Sequence, residues 1–193
     1  MSRSGTIDLP LDGVVRRFRL PIGELEALQE ATDVGAVVHL YRLHAGEAYG
    51  YRDVRLVLLH GLIGGGLSPV EAHALAAGFD RVCLVELQAI ATLVLAAALE
   101  GTEDEELPLP SSDDGASALP DGKIRFADFY GAAAAMQLPV ADARAMSLWQ
   151  FSAYVAGHNR AVDPDGAEPL TGSEADGLWA MIRPDGDGRA VER

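Results

Sequence analysis

The sequence is poor in cysteine, in aromatic residues and in positive charge. One of its 193 residues is cysteine, 6% are aromatic, and 15 lysines and arginines stand against 29 aspartates and glutamates, so that the formal net charge is −14. With Cys83 alone, no intrachain disulfide can form, and we expect a buried thiol in a protein of the reducing cytoplasm. The acidic balance argues against nucleic acid as a partner, because binding to phosphate depends on Lys and Arg.

Motifs for catalysis, cofactors and metals are missing as well. The five histidines lack both the i,i+4 spacing of a helical metal pair and a nearby cysteine cluster. The glycine-rich run at 61–66 lacks the Lys-Ser/Thr of a phosphate-binding loop and indicates the end of a helix. Residues 163–174 copy part of a calcium-binding loop, but Glu168 occupies the position that needs glycine. We therefore expect no enzyme activity, no cofactor and no metal site.

Neither a secretory signal nor a membrane span is expected. The first residues carry one charge with no apolar stretch behind it. Residues 82–99 are strongly apolar, but Glu86 and Gln88 interrupt them and the segment is short for a bilayer. Because this predicted helix is apolar nearly all round, either its neighbours wrap it or a second face contacts another molecule. On the second interpretation, Val85 and Ala89 are candidate partner-binding residues.

The N-terminal residues predict a β-hairpin. Two runs with alternating apolar residues, 6–11 and 14–20, flank Asp12-Gly13, and this pair suits the two positive φ angles of a type I′ turn. A hairpin this small is not stable alone, so its apolar face must pack on helices. The side chains assigned to that face are Ile7, Leu9, Leu11, Val14, Phe18 and Leu20.

Five helices are predicted between the hairpin and residue 100. The first opens at Pro21, the second covers the region from 36 to about 45, and the third begins near Tyr51. The fourth follows Ser68-Pro69-Val70-Glu71, in which Ser, Pro and Glu stand at the positions of a capping box. The fifth is the apolar helix at 82–99.

An acidic segment divides the chain. Residues 101–123 carry 7 acidic groups and 1 basic group together with several prolines, which predicts a flexible linker. The expected fold is α+β, mostly α, with a hairpin-plus-helices domain at 1–100. A second small helical unit, folded independently of the first, is expected at 124–162. A polar tail with a short helix at 174–182 follows at 163–193.

Aromatic side chains concentrate in the second unit. Trp149, Phe151 and Tyr154 follow Ser147, which begins another predicted helix. These rings either form the core of the unit or contact a partner, a role for which aromatic residues are well suited. Phe151 and Tyr154 are three positions apart and share a helix face, while Trp149 points elsewhere. All three are therefore candidate partner-binding residues.

The order of these parts resembles a known family. The hairpin pattern, the Pro21–Leu28 stretch, the Val57–Ser68 stretch and the Ala-rich helix after it are similar to the tail protein of the gene transfer agent family. This family consists of short phage-like proteins encoded beside the tail tape measure.

Residues 124–160 resemble the small phage tail assembly chaperone encoded next to that protein. The resemblance lies in an aromatic first helix, the Leu138-Pro139 break, and a helix start at Ser147 with Gln150 three residues later. Two features depart from the pattern. Both halves share one chain here, and Gln150 stands where glutamate is expected.

The resemblance implies a tail assembly chaperone of a phage, prophage or gene transfer agent. Such a protein acts in the host cytoplasm, coats the helical tape measure protein and helps recruit tail tube subunits, and it is a possible homo-oligomer. Two other functions stay open, a structural minor component of the tail and a generic helical protein-binding adaptor. Nucleic acid and membrane are not expected partners.

Overall fold

Residues 7–18 form the hairpin that the sequence predicts. In a computed structural model that describes residues 2–100 and 119–162, β1 (Ile7–Leu11) pairs antiparallel with β2 (Val14–Phe18), with Leu11 opposite Val14. Asp12 and Gly13 have φ angles of 51° and 72°, as a type I′ turn requires. The prediction of this turn is confirmed.

Helices make up most of the remaining described residues. They are α1 (Ile22–Thr32), α2 (Ala36–Ala45), α3 (Tyr51–Gly64), α4 (Pro69–Ala76), α5 (Leu84–Leu99), α6 (Phe126–Ala135), α7 (Val140–Ala145) and α8 (Leu148–Val162). Short 3₁₀ turns lie at Phe79–Arg81 and Pro120–Gly122. The α+β, mostly α fold class, with the hairpin packed on helices, is confirmed.

The start of α4 is capped as the sequence predicts. The Ser68 hydroxyl accepts a hydrogen bond from the Glu71 N–H at 3.3 Å, and the Glu71 carboxylate accepts from the Ser68 N–H at 3.2 Å and from its hydroxyl at 2.5 Å. The hydrogen bonds from the Ser68 hydroxyl and N–H lower the pKa of Glu71. Pro69 occupies the first helical position, where no backbone donor is needed.

The backbone of β2 lies directly against the C-terminal end of α3. A Cβ atom on Gly64 would stand 2.3 Å from the Arg19 carbonyl oxygen, and one on Gly65 would stand 2.2 Å from that of Arg17. Any side chain at these two positions would force the strand away from the helix. The glycine run therefore ends α3, as predicted. It also allows the hairpin backbone to pack closely against the helix, which was not predicted.

The inner face of the hairpin enters the core except at its tip. Leu11 and Phe18 are buried, and a Cβ on Gly61 would come within 3.2 Å of the Phe18 ring. Ile7 and Leu9 are partly buried against the same core, whereas Val14, which opens β2 beside the turn, is exposed. The placement of Val14 in the core was therefore wrong.

Helix α5 is central to the described core and contacts α2, α3, β1 and α8. Seven of its side chains are buried, namely Leu87, Ile90, Ala91, Val94, Leu95, Ala97 and Ala98. The helix begins at Leu84, two residues later than predicted, and Cys83 at its N-cap is exposed. The prediction of a buried thiol was wrong, because Cys83 precedes the helical turns that carry the packed face.

Helices α6, α7 and α8 pack against the first unit. Their buried side chains Phe126, Ala133, Ala143 and Phe151 belong to the same hydrophobic cluster as the core of residues 11–98. Helix α7 contacts α1, and α8 contacts α5. The second unit thus contacts α1 and α5, and its independent folding stays a prediction. The residue boundaries of the predicted domains stay a prediction.

The last residues of the predicted linker are docked on α2. The Asp121 carbonyl accepts a hydrogen bond from the N–H of Gly35, the N-cap of α2, at 3.0 Å, and Lys123 pairs with Asp33 at 2.6 Å. Residues 119–123 thus include a turn that satisfies a backbone donor at a helix start, and the linker as a whole stays a prediction. Residues 101–118 and the predicted tail helix at 174–182 lie outside the described residues.

Replacing Gly65 by alanine should destabilise the fold by about 2–3 kcal/mol, because the new methyl group overlaps the Arg17 carbonyl. The matched control is Gly131→Ala in α6, where an added Cβ meets no atom within 4 Å. That control should be stabilising by about 0.5–1 kcal/mol. Urea unfolding measures both, and equal effects would contradict the close approach of β2 to α3.

A second prediction concerns His39 in α2, which is buried with Nε2 2.9 Å from the Thr32 hydroxyl oxygen. Burial lowers the pKa of His39 below its ordinary value of 6.5. The unfolded chain therefore takes up the proton first as the pH falls. Below about pH 6.5 the free energy of unfolding then declines by at most about 1.4 kcal/mol per pH unit. We expect His39→Gln to lose less stability than the natural chain between about pH 7.5 and about pH 5.5. Equal losses in urea unfolding would show that His39 does not contribute.

Candidate partner-binding surfaces

The outer face of α5 carries an exposed apolar stripe. We define the α5 stripe as Val85, Ala89, Leu93 and Ala96. Val85 is 69% exposed, Leu93 is 43% exposed, Ala89 is exposed and Ala96 is half-buried. Their spacing of three or four residues places them on one face, away from the buried one. Helix α5 is thus both core element and surface element, and the residues predicted for a second face, Val85 and Ala89, are solvent-accessible.

A polar residue beside the stripe fixes α5 against α2. Gln88 donates a hydrogen bond from its side-chain amide to the Leu43 carbonyl at 2.7 Å and accepts a very short one from the Tyr49 hydroxyl. The Leu43 carbonyl lies in the last turn of α2 and also accepts a hydrogen bond from the Gly46 N–H at 3.3 Å. This contact holds the stripe in a defined position relative to α2.

The three aromatic candidates of α8 are placed differently from one another. Phe151 is only 4% exposed, and its ring centroid lies 5.1 Å from that of Phe129. Tyr154 is 44% exposed. Phe151 is a core residue and is removed from the candidate contact set. The reason is that the buried line of α8 runs through Phe151 and Val155, which leaves Tyr154 at its rim.

Trp149 is half-buried beneath the N-terminal segment. The Arg3 guanidinium lies 5.6 Å from the centre of the indole ring, a distance typical of a cation–π contact. The Ser147 hydroxyl, at the start of the same helix, donates to the Arg3 carbonyl at 2.7 Å. The indole Nε1 is buried and has no hydrogen-bond partner within the described part of the chain. Trp149 is therefore only partly accessible to a partner.

A polar surface on the first unit, which the sequence did not suggest, receives α6–α8. We call it the α1 surface and define it by Arg19, Glu26 and Gln29. The Arg19 guanidinium donates to the Ala145 carbonyl at 2.7 Å and to the Gln150 side chain at 3.2 Å. Partial burial lowers the pKa of Arg19. Gln150 thereby acts as a neutral acceptor at the position where the resemblance suggested glutamate.

The other two members of the α1 surface contact the start of the second unit and α7. Glu26 accepts a hydrogen bond from the Tyr130 hydroxyl at 2.6 Å and forms a very short ion pair with Arg144. Burial and the Glu26 carboxylate raise the pKa of Tyr130. Gln29 pairs with both backbone groups of Ile124, at 2.7 and 3.0 Å. Only their partners in space reveal these roles, since in the sequence Glu26 and Gln29 look like ordinary solvent-facing helix residues.

Within residues 2–100 and 119–162, no group of three or more His, Cys, Asp or Glu side chains is placed to hold a metal ion. None of the helices described is long and apolar enough to cross a membrane. The partial calcium loop at 163–174 lies outside the described residues.

Comparison with known proteins gives one result. A family described as "phage tail tube protein, GTA-gp10" matches residues 4–101, which are 98 of the 193 positions and include the hairpin and α1–α5. No curated protein matches the chain, and neither does any solved structure. The match ends before α6, so the resemblance of residues 124–160 to a tail assembly chaperone stays a prediction. Because the match covers just over half of the chain, this protein belongs to the gene transfer agent and phage tail family described as phage tail tube protein, GTA-gp10.

Proposed function

We propose that this tail protein is an assembly chaperone that binds the tape measure protein and helps to recruit tail tube subunits in the host cytoplasm. The observation that carries the proposal is the exposed α5 stripe on a helix whose opposite face is buried. An apolar face of this kind is disfavoured in water and is typical of a surface that receives a partner.

The shape of the stripe suits a helical partner. From Val85 to Ala96 it spans twelve residues of α5, or about 16 Å over eleven steps of 1.5 Å. Apolar positions three or four residues apart match the spacing with which two helices interlock their side chains. The small Ala89 and Ala96 permit a close approach. A long helical tape measure protein, as the family resemblance implies, presents such a partner face.

Charge favours a different protein over a second copy. A net charge of −14 makes copies of this chain repel one another and attracts a partner with basic flanking residues. Exposed Glu86 lies next to Val85 and is available to pair with such a residue. Self-association is therefore the secondary use of the stripe in this proposal, and contact with the tape measure is the primary one.

A structural role in the tail is the second candidate, favoured by the family description itself, which names a tail tube protein. The composition of finished particles separates the two functions. A chaperone is absent from them, while a structural component is present in a fixed ratio to other tail proteins. A tape measure gene directly downstream would argue against a generic helical adaptor.

The α5 stripe is tested by Val85→Glu combined with Ala89→Glu. We expect the variant to stay folded, because both side chains are exposed, and to lose tape measure binding by roughly tenfold or more as charge enters an apolar contact. The control is Val70→Glu on α4, where the valine is 81% exposed but lies outside the stripe. Pull-down and light scattering report binding and self-association. A folded double variant that binds like the natural chain would remove the stripe from the proposal.

The second contact, with the tail tube subunit, is assigned to Trp149 and Tyr154. We expect Tyr154→Ala to weaken capture of the tube subunit while the melting temperature changes little. Trp149→Ala should weaken capture and also lower the melting temperature, because the indole is half-buried. Phe151→Ala is the contrasting variant, because loss of a buried ring should destabilise the fold by about 3–5 kcal/mol. If the Tyr154 and Trp149 variants both capture the tube subunit normally, the docking site lies elsewhere.

A further inference from the structure

Residues 2–4 form a turn that lies over the start of α8. We call them the N-terminal turn. The Arg3 guanidinium stands 5.6 Å from the centre of the Trp149 ring, and the Arg3 carbonyl accepts a hydrogen bond from the Ser147 hydroxyl at 2.7 Å. The N-terminal turn therefore covers part of the aromatic side chain that is assigned above to the tail tube subunit.

The N-terminal turn is attached by polar contacts at the surface. Arg19 donates from Nε to the Ser4 carbonyl at 2.8 Å, and the Ser4 hydroxyl donates to the Thr6 hydroxyl at 2.8 Å. Ser2 and Arg3 are exposed, and Ser4 is half-buried. Exposed hydrogen bonds with few buried apolar contacts are features of a segment that opens locally at a small cost in free energy. The turn can therefore leave the indole while the core stays folded.

Gly5 is the anchor of the N-terminal turn. It is buried, its φ angle is 67°, and an added Cβ would stand 3.3 Å from the Ala97 carbonyl oxygen of α5. Such a φ angle favours glycine. The Gly5 N–H closes the turn by donating to the Ser2 carbonyl at 2.8 Å, and β1 begins two residues later at Ile7. Movement of residues 2–4 about this anchor leaves the hairpin in place.

The indole of Trp149 receives no hydrogen bond acceptor from the N-terminal turn. Its Nε1 atom is buried and lacks a partner within residues 2–100 and 119–162. A buried donor without an acceptor carries an unfavourable desolvation cost. A partner segment that brings an oxygen acceptor to Nε1 removes that cost, whereas the turn does not. The partner therefore favours the open state, and such a difference in affinity is what displaces the turn.

We propose that the N-terminal turn is an autoinhibitory strap on Trp149, and that the tail tube subunit displaces it with a segment that carries a hydrogen-bond acceptor. This inference rests on the tube-subunit contact proposed above and adds its regulation. In the free protein, the turn keeps part of an aromatic surface out of water and away from other proteins. On binding, the partner takes the place of Arg3 on the ring, and the Trp149 Nε1 donates to the partner's acceptor.

The test follows the indole and the partner separately. In a Trp179→Phe background, Trp149 is the one remaining tryptophan, so its fluorescence reports its own exposure. We expect Arg3→Glu to open the N-terminal turn, because an anion replaces the cation over the ring, and to raise acrylamide quenching about twofold. Binding of the tube subunit should become about threefold tighter or more, since apparent affinity rises with the fraction of open molecules.

Matched variants serve as controls. Arg3→Lys keeps the cation and should behave like the natural chain in both measurements. Arg81→Glu makes the same charge change at an exposed position of the 3₁₀ turn before α5, and should alter neither. Trp149→Phe keeps a ring but lacks the donor, and should weaken binding about fivefold through the loss of one hydrogen bond. Circular dichroism checks the fold of each variant, and Arg3→Ser is a second opening variant.

The two readouts separate the strap from the site beneath it. Unchanged quenching in both opening variants overturns the strap, whatever happens to binding. Increased quenching with unchanged binding also overturns it, and if Trp149→Ala still loses binding, the proposed tube contact stands. If neither the natural chain nor Arg3→Glu binds the tube subunit, the proposed contact fails, and the strap proposed on it fails as well.

Discussion

The close approach of the β2 backbone to α3 is the constraint on which the rest of the structure depends. The carbonyl groups of Arg17 and Arg19 occupy the space that side chains at Gly65 and Gly64 would fill. This approach places Phe18 in the core. It also fixes the direction in which the chain enters α1. Arg19 follows directly, so the same contact aims its guanidinium at α7. A small two-stranded sheet acquires stability only through such packing on helices.

Helix α5 links the core to the proposed function. One face contributes buried leucine, isoleucine, valine and alanine side chains to contacts with α2, α3 and β1, while the other presents the α5 stripe to solvent. Mutations on the two faces should therefore separate stability from binding. The arrangement fits a member of a phage tail tube family, for which contacts with other tail proteins are expected.

The α1 surface is a second contact surface of this chain, and it is polar. Directed hydrogen bonds from Arg19 and Gln29 and the Glu26 ion pair attach α6–α8 to the matched family unit. An apolar interface alone would allow several orientations, whereas these polar groups accept only one. Gln150 takes part as a neutral acceptor for Arg19, which gives a structural reason for an amide in that position.

Local patterns in the sequence determined the hairpin turn at Asp12-Gly13, the capping box of Ser68 and Glu71, and the apolar character of α5, because each depends on neighbours a few residues away. The sequence left open whether neighbours cover Val85 and Ala89, and the tertiary structure decided that both are exposed. Only the tertiary structure decided that Cys83 is exposed, that Phe151 is core while Tyr154 is surface, and that α6–α8 dock on α1. The physical reason is that Arg144 and Glu26 are 118 positions apart, and no local preference specifies a contact between residues so distant in the chain.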